Sequence, residues 1–178
     1  MSDIQKIKFI LTDYSNAIPL NDIDEEDMFQ IRAYRSPEDI LGFKYSYKSE
    51  LWAVGCIMWD LLTDDYIFEP ELEGSTLSRD RKQLALMEKY LGRMPKDLSL
   101  ECERSYDLYE QSGRIKKNRK VEKDNLENVL ILCRDDLTEK ELTDTCDFLR
   151  KIWTYDPKLR MNINQVLNDE FLGGHLEK

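Results

Sequence analysis

The sequence predicts a mainly α-helical domain with one short β strand or hairpin at its N-terminus. Three observations predict it. Leu51–Leu62 carries a single charge, Asp60, and is otherwise apolar or Gly. A helix that is apolar all round is expected to be buried on all sides, and this one is too short to cross a bilayer. Downstream, capped stretches with apolar residues at helical spacing recur up to Leu172, whereas only Lys6–Leu11 (KIKFIL) has β character.

The elements follow in order. Thr12-Asp13-Tyr14-Ser15-Asn16 closes the strand with turn residues, and Asn21–Asp27 (NDIDEED) is an acidic loop. The stretch from Tyr34 to Ser49, which contains Pro37, reads as an irregular polar loop leading into the core helix. Ser49-Glu50 is expected to open that helix with a cap and an acidic first turn, and Thr63-Asp64-Asp65 to end it. After a loop with Pro70 and Gly74, Ser78 is the expected cap of a second helix with the stripe Leu84, Met87 and Leu91. Gly92 and Pro95 stop it. Asp97–Asp124 is polar with little periodicity and reads as an insert of loops with one short helix. Asn125–Cys133 reads as helical. Thr138 and Glu141 have the spacing of a capping box, ahead of the stripe Leu142, Cys146, Leu149, Ile152 and Trp153. Asp156-Pro157 breaks that helix. Asn162–Gln165 resembles another capping box before Val166, Leu167, Phe171 and Leu172, and Gly173-Gly174 ends the last element. A lone strand without a partner elsewhere in the chain points to missing N-terminal structure.

The 178 residues suffice for one domain with a sizeable core. A formal charge of -10 argues against nucleic acid or a membrane surface as partner and permits a basic peptide. The four cysteines, Cys56, Cys102, Cys133 and Cys146, include no C-x-x-C. Cys56 and Cys146 lie on apolar stripes and read as core thiols, which fits a reducing, intracellular compartment. Residues 1–15 do not read as a signal peptide.

Two patterns carry no chemistry. Asp22, Asp24 and Glu26 have calcium-loop spacing, but the sixth and twelfth positions hold Asp27 and Ala33 in place of Gly and Glu. His175, the single histidine, has no metal or triad partner set.

Other residues stand in an ordered series. Asp13 follows an apolar strand. Ser36-Pro37-Glu38 comes 23 residues later, then Glu50-Leu51-Trp52 at the head of the core helix, then Asp156-Pro157-Lys158-Leu159-Arg160. The series resembles the activation segment and large lobe of a eukaryotic protein kinase, from the Asp-Phe-Gly motif onward. Arg32-Ala33-Tyr34-Arg35-Ser36-Pro37-Glu38 resembles the R-x-Y-R-x-x-E of CMGC-group kinases. Asp13-Tyr14-Ser15-Asn16-Ala17 and Asp65-Tyr66-Ile67-Phe68-Glu69-Pro70 are similar to stretches of SR-protein kinases. The resemblance implies the large, C-terminal lobe of the kinase fold, with residues 1–172 a partial kinase domain, 173–178 a tail and the small lobe absent.

The resemblance also implies roles. Asp13 is the expected metal- and nucleotide-binding residue. Arg32, Tyr34 and Arg35 belong to the substrate-facing activation segment. Glu38, Glu50, Trp52 and Arg160 are structural, with Glu38 and Arg160 expected as a buried ion pair. Asp65, Lys82 and Lys89 stand at docking positions. Four departures are visible. Ser15 replaces Gly, Ile31 replaces Thr, Glu50 replaces Asp, and Lys82 and Lys89 replace two acidic residues of the docking groove. The chain contains no G-x-G and no His-Arg-Asp. No catalytic residue is therefore expected within it, since phosphoryl transfer needs a phosphate cover, a β3 Lys and a catalytic Asp. The complete kinase would use Mg and ATP, and this chain alone is expected to bind neither. Its expected partner is a protein or peptide substrate, inside the cell, in the cytoplasm or nucleus. A kinase-derived binding module without catalysis is the alternative reading, and a plain helical scaffold a third.

Overall fold

The computed structural model describes residues 10–19, 22, 30–117 and 122–173. The acidic loop except Asp22, residues 6–9 of the expected strand, and His175 lie outside the described residues. Ile10 and Leu11 are described; they are exposed and belong to no strand. The architecture is mainly helical, as expected for a kinase large lobe. Among the described residues the β structure is one antiparallel bridge, Tyr109 to Ile115.

Eight α-helices are described: α1 Pro37–Leu41, α2 Tyr47–Thr63, α3 Thr76–Leu91, α4 Lys96–Glu101, α5 Ser105–Leu108, α6 Leu126–Cys133, α7 Glu139–Ile152 and α8 Ile163–Leu167. Thr138–Glu141 and Asn162–Gln165 form the capping boxes that their spacing suggests. Gly92 closes α3 at positive φ. The stripe on α7 is buried from Leu142 to Trp153.

Four local expectations need correction. The stretch after Tyr34 is not all irregular, because Pro37 at a first-turn position starts the short and wholly buried α1. The core helix begins earlier than expected. Ser46, not Ser49, caps α2, and Ser49 is the third residue of the box, its hydroxyl accepting from the Ser46 amide. Ser75, not Ser78, caps α3. The insert holds two short helices, α4 and α5, rather than one.

α2 runs through the core with Trp52, Cys56 and Trp59 buried. Trp153 of the α7 end stacks among Trp52, Trp59 and Phe68, at ring-centre distances of 6.4, 6.2 and 5.0 Å. The close approach of α2 and α7 depends on Gly55. A Cβ there would lie 2.7 Å from Trp153 Nε1 and 3.1 Å from Ile152 Cγ2. Gly55→Ala is expected to destabilise the chain by about 1–3 kcal/mol through overpacking. Thermal unfolding measures it, and an unchanged melting temperature would show that the two helices can part without cost.

α2 is not buried all round, contrary to expectation. Val54, Ile57 and Leu61 are 42%, 43% and 73% exposed. Their spacing puts them on one face, while α6, α7 and residues 32–34 pack elsewhere on the helix. Apolar composition states what a helix tolerates around it, not how many elements surround it.

Candidate functional site

The site is built on the junction of residues 30–38 with the head of α2. Glu38 sits in the first turn of α1, and Arg160 lies on the turn after α7. Their pair is bidentate, Nη1 to Oε1 at 2.6 Å and Nη2 to Oε2 at 2.8 Å. The Arg160 and Glu38 side chains are 0% and 1% exposed. The pair is further bonded on both sides. Ser49 Oγ donates to Glu38 Oε1, and Arg160 donates to the carbonyls of Lys48 and Thr154. Its guanidinium lies 5.2 Å above the ring of Trp52. A buried ion pair is tolerable only when so fully bonded.

Residues 30–36 are pinned at several points. Arg32 donates to Asp80 Oδ1 at 2.6 Å, and Gln83 Nε2 donates to the Arg32 carbonyl at 2.6 Å. Asp80 is fully buried and also accepts from Arg104, at 2.7 Å. Arg104 reaches on to the Ile40 carbonyl. Tyr34 donates to Asp60 Oδ2 at 2.9 Å, so the one charge of the core run has a partner. Burial, then the Asp60 bond, push the Tyr34 phenol well above its ordinary pKa. Arg35 lies 3.0 Å from Asp39 and donates to the Gln30 carbonyl. Burial raises Asp39 to about 6 although Arg35 pulls it down. Gln30 bonds Ser36 N–H through Oε1 and the Ser49 carbonyl through Nε2.

Sequence reasoning missed Gln30, Asp80, Gln83 and Arg104. One signal was readable. Asp80 is in phase with the buried Leu84 and Met87, at i+4 and i+7, and a charge on a core stripe demands a partner. The partners come from distant segments, so their identity was not readable.

Of the other expected residues, Glu50 lies in the first turn of α2, and Asp13, Asp65, Lys82 and Lys89 have partners outside residues 30–38. Asp13 is exposed, with φ 61°, and accepts from Ser15 Oγ at 2.7 Å. Ser15 thus occupies one oxygen of its carboxylate. Among the described residues no group of three or more metal-ligating side chains occurs. Glu50 is exposed and accepts from the Tyr45 hydroxyl. Asp65 accepts from the Tyr66 amide. Lys82 pairs with Glu71 at 3.0 Å, and Lys89 with Asp124 at 3.4 Å.

The chain matches the model of the protein kinase domain over residues 1–172. It belongs to the protein kinase family. It is 30% identical to protein kinase dsk1 of Schizosaccharomyces pombe over 169 residues, 95% of this chain and 30% of that protein. It is 28% identical to SRSF protein kinase 3 of Homo sapiens over 167 residues, 94% of this chain and 29% of that protein. It is 28% identical to serine/threonine-protein kinase SKY1 of Saccharomyces cerevisiae over 143 residues, 80% of this chain and 19% of that protein. The chain therefore spans between 19% and 30% of the length of these relatives. Within the family it is SR-protein-kinase-like, of the CMGC group.

In kinase terms, residues 30–38 form a rigid ledge. Three independent ties, to Asp60 of α2, Asp80 of α3 and Arg160 beyond α7, hold it. Such a ledge can position a polypeptide. No described helix is long and apolar enough to cross a membrane.

Proposed function

We propose that these residues are the substrate platform of a serine/threonine kinase and do not transfer phosphate by themselves. The observation that carries this reading is the ordered ledge at 30–38, locked by the Glu38–Arg160 pair. Arg32, Tyr34 and Arg35 support the ledge from beneath, through Asp80, Asp60 and Asp39, and Asp13 would meet Mg²⁺ when an ATP site is completed. The chain supplies no Gly-rich phosphate cover and no His-Arg-Asp base, which the transfer step requires. The substrate is a protein, and the acidic charge of the chain suits a basic one. Lys82 and Lys89 oppose an Arg-Ser docking segment. The same charge disfavours nucleic acid and anionic membrane. Free cysteines, three of them buried, fit a reducing intracellular setting. The bond from Ser15 to Asp13 favours a second reading, a binding module that no longer engages metal.

Two titrations test the proposal. Mg-ATP is expected to leave the melting temperature unchanged, because one carboxylate binds Mg²⁺ weakly. Saturable micromolar binding by calorimetry would overturn that. An Arg-Ser repeat peptide and a scrambled Lys-rich peptide of equal charge are expected to bind equally weakly, and more weakly at high salt. A tenfold preference for the repeat, about 1.4 kcal/mol, would show a working Arg-Ser groove.

A further inference from the structure

One charged surface is used by neither the ledge nor Asp13. At 100° per residue, Arg79, Lys82 and Lys89 fall within about 80° of arc on α3. Arg93 continues the row just past the helix end. The two acids of the helix, Asp80 and Glu88, lie on the opposite side, and Asp80 is consumed by Arg32 and Arg104. Arg81 lies on that opposite side and donates to the Asp107 carbonyl, so the row gathers three of the four cations of the helix. Leu86 and Tyr90, half-buried, lie in the same row.

The row is poorly neutralised. Arg79 Nε is buried and has no hydrogen-bond partner. Arg93 donates to a backbone carbonyl, that of Ser112, rather than to a carboxylate. Lys82 is held by Glu71, whose side chain is 82% exposed, and Lys89 by the part-exposed Asp124. Exposed pairs of this type hold weakly and exchange readily.

We propose that this face of α3 docks an acidic peptide whose carboxylates replace those of Glu71 and Asp124. Lys82 and Lys89 are two turns apart, about 10.5 Å along the axis, which an extended peptide spans in about three residues. The peptide is therefore of the form acidic-x-x-acidic, with an apolar residue between to meet Leu86. A short peptide suits the face better than a nucleic acid does, because a long polyanion would run onto the acidic remainder of the chain. The proposal concerns the docking positions of Lys82 and Lys89 with a ligand of the opposite charge from the basic-peptide titration above; general basic-peptide binding can fail without it, and it can fail without that binding.

The test is fluorescence anisotropy at 0.15 M salt, where the Debye length is about 8 Å. The probes are a labelled Glu-x-x-Glu peptide with an internal Leu, the same composition with adjacent Glu residues, and a single-stranded oligonucleotide of equal charge. Saturable binding of the first is expected. Lys82→Gln with Lys89→Gln is expected to weaken it at least tenfold, and Glu71→Gln with Asp124→Asn to tighten it several-fold. All four positions are at least partly exposed, and circular dichroism checks that each variant is folded. The proposal is overturned if neither wild type nor the Glu71/Asp124 variant binds, or if the Lys82/Lys89 variant binds as wild type does. Equal binding of the oligonucleotide or of the adjacent-Glu peptide overturns it too, leaving a non-specific polyanion surface.

Discussion

Arg160→Ala is expected to lower the melting temperature by roughly 6–20 °C. Breaking a buried pair by removing one partner costs about 3–5 kcal/mol. For a chain of this size each kcal/mol is worth roughly 2–4 °C. The cost arises because Glu38 stays behind. Its carboxylate is 1% exposed and would keep only the Ser49 hydroxyl. The Lys48 and Thr154 carbonyls would lose their donor as well. Arg160→Lys is expected to fall between, since an ammonium cannot reproduce the two parallel bonds of the fork. Replacing both partners with apolar residues of similar volume is expected to recover part of the loss, which separates an unpaired charge from lost packing. Thermal unfolding against Lys158→Ala, an exposed control, measures all of these. An Arg160→Ala shift no larger than that of the control would sink the assignment.

Asp80→Ala is expected to cost about 3 kcal/mol, the lower end of the range for breaking a buried pair. The lower end applies because its partners keep some water, Arg32 at 12% and Arg104 at 26% side-chain exposure, while Asp80 has none. The larger effect is local. Arg32 is tied to α3 through Asp80 and Gln83, and Arg104 ties the insert to the Ile40 carbonyl. Without Asp80 the two guanidiniums repel each other across the space it filled. Amide exchange at Tyr34 and Arg35, whose N–H groups bond the Ile31 and Arg32 carbonyls, is expected to speed up. A lowered melting temperature with unchanged exchange at those amides would confine Asp80 to joining α3 and the insert.

Much of the candidate site was legible because its parts are short and local. Arg32, Tyr34, Arg35, Glu38 and Trp52 could be named from one stretch of sequence, and Arg160 from its turn. Helix ends were legible where side chain and backbone meet within three residues, as at Thr138 and Asn162. They were misread at Ser46 and Ser75, where two serines compete and packing chooses between them. Ser49 lost the cap because its hydroxyl donates to Glu38, eleven residues back.

The sequence by itself determined the helical class, the core stripes of α3 and α7, and membership of the kinase family. The first two rest on periodicity, where the geometry is set by the backbone, and the third on the resemblance of motifs from Asp13 to Arg160 to those of known kinases. Tertiary structure alone decided that Asp60 serves Tyr34 and that Asp80 joins Arg32 to Arg104. It also decided which face of α2 stays uncovered and which carboxylates quench Lys82 and Lys89. Those pairings join residues 24 or more apart in sequence, apart from Lys82 with Glu71. A charge in a sequence announces that it needs a partner, but the partner is whatever the packed chain brings within reach.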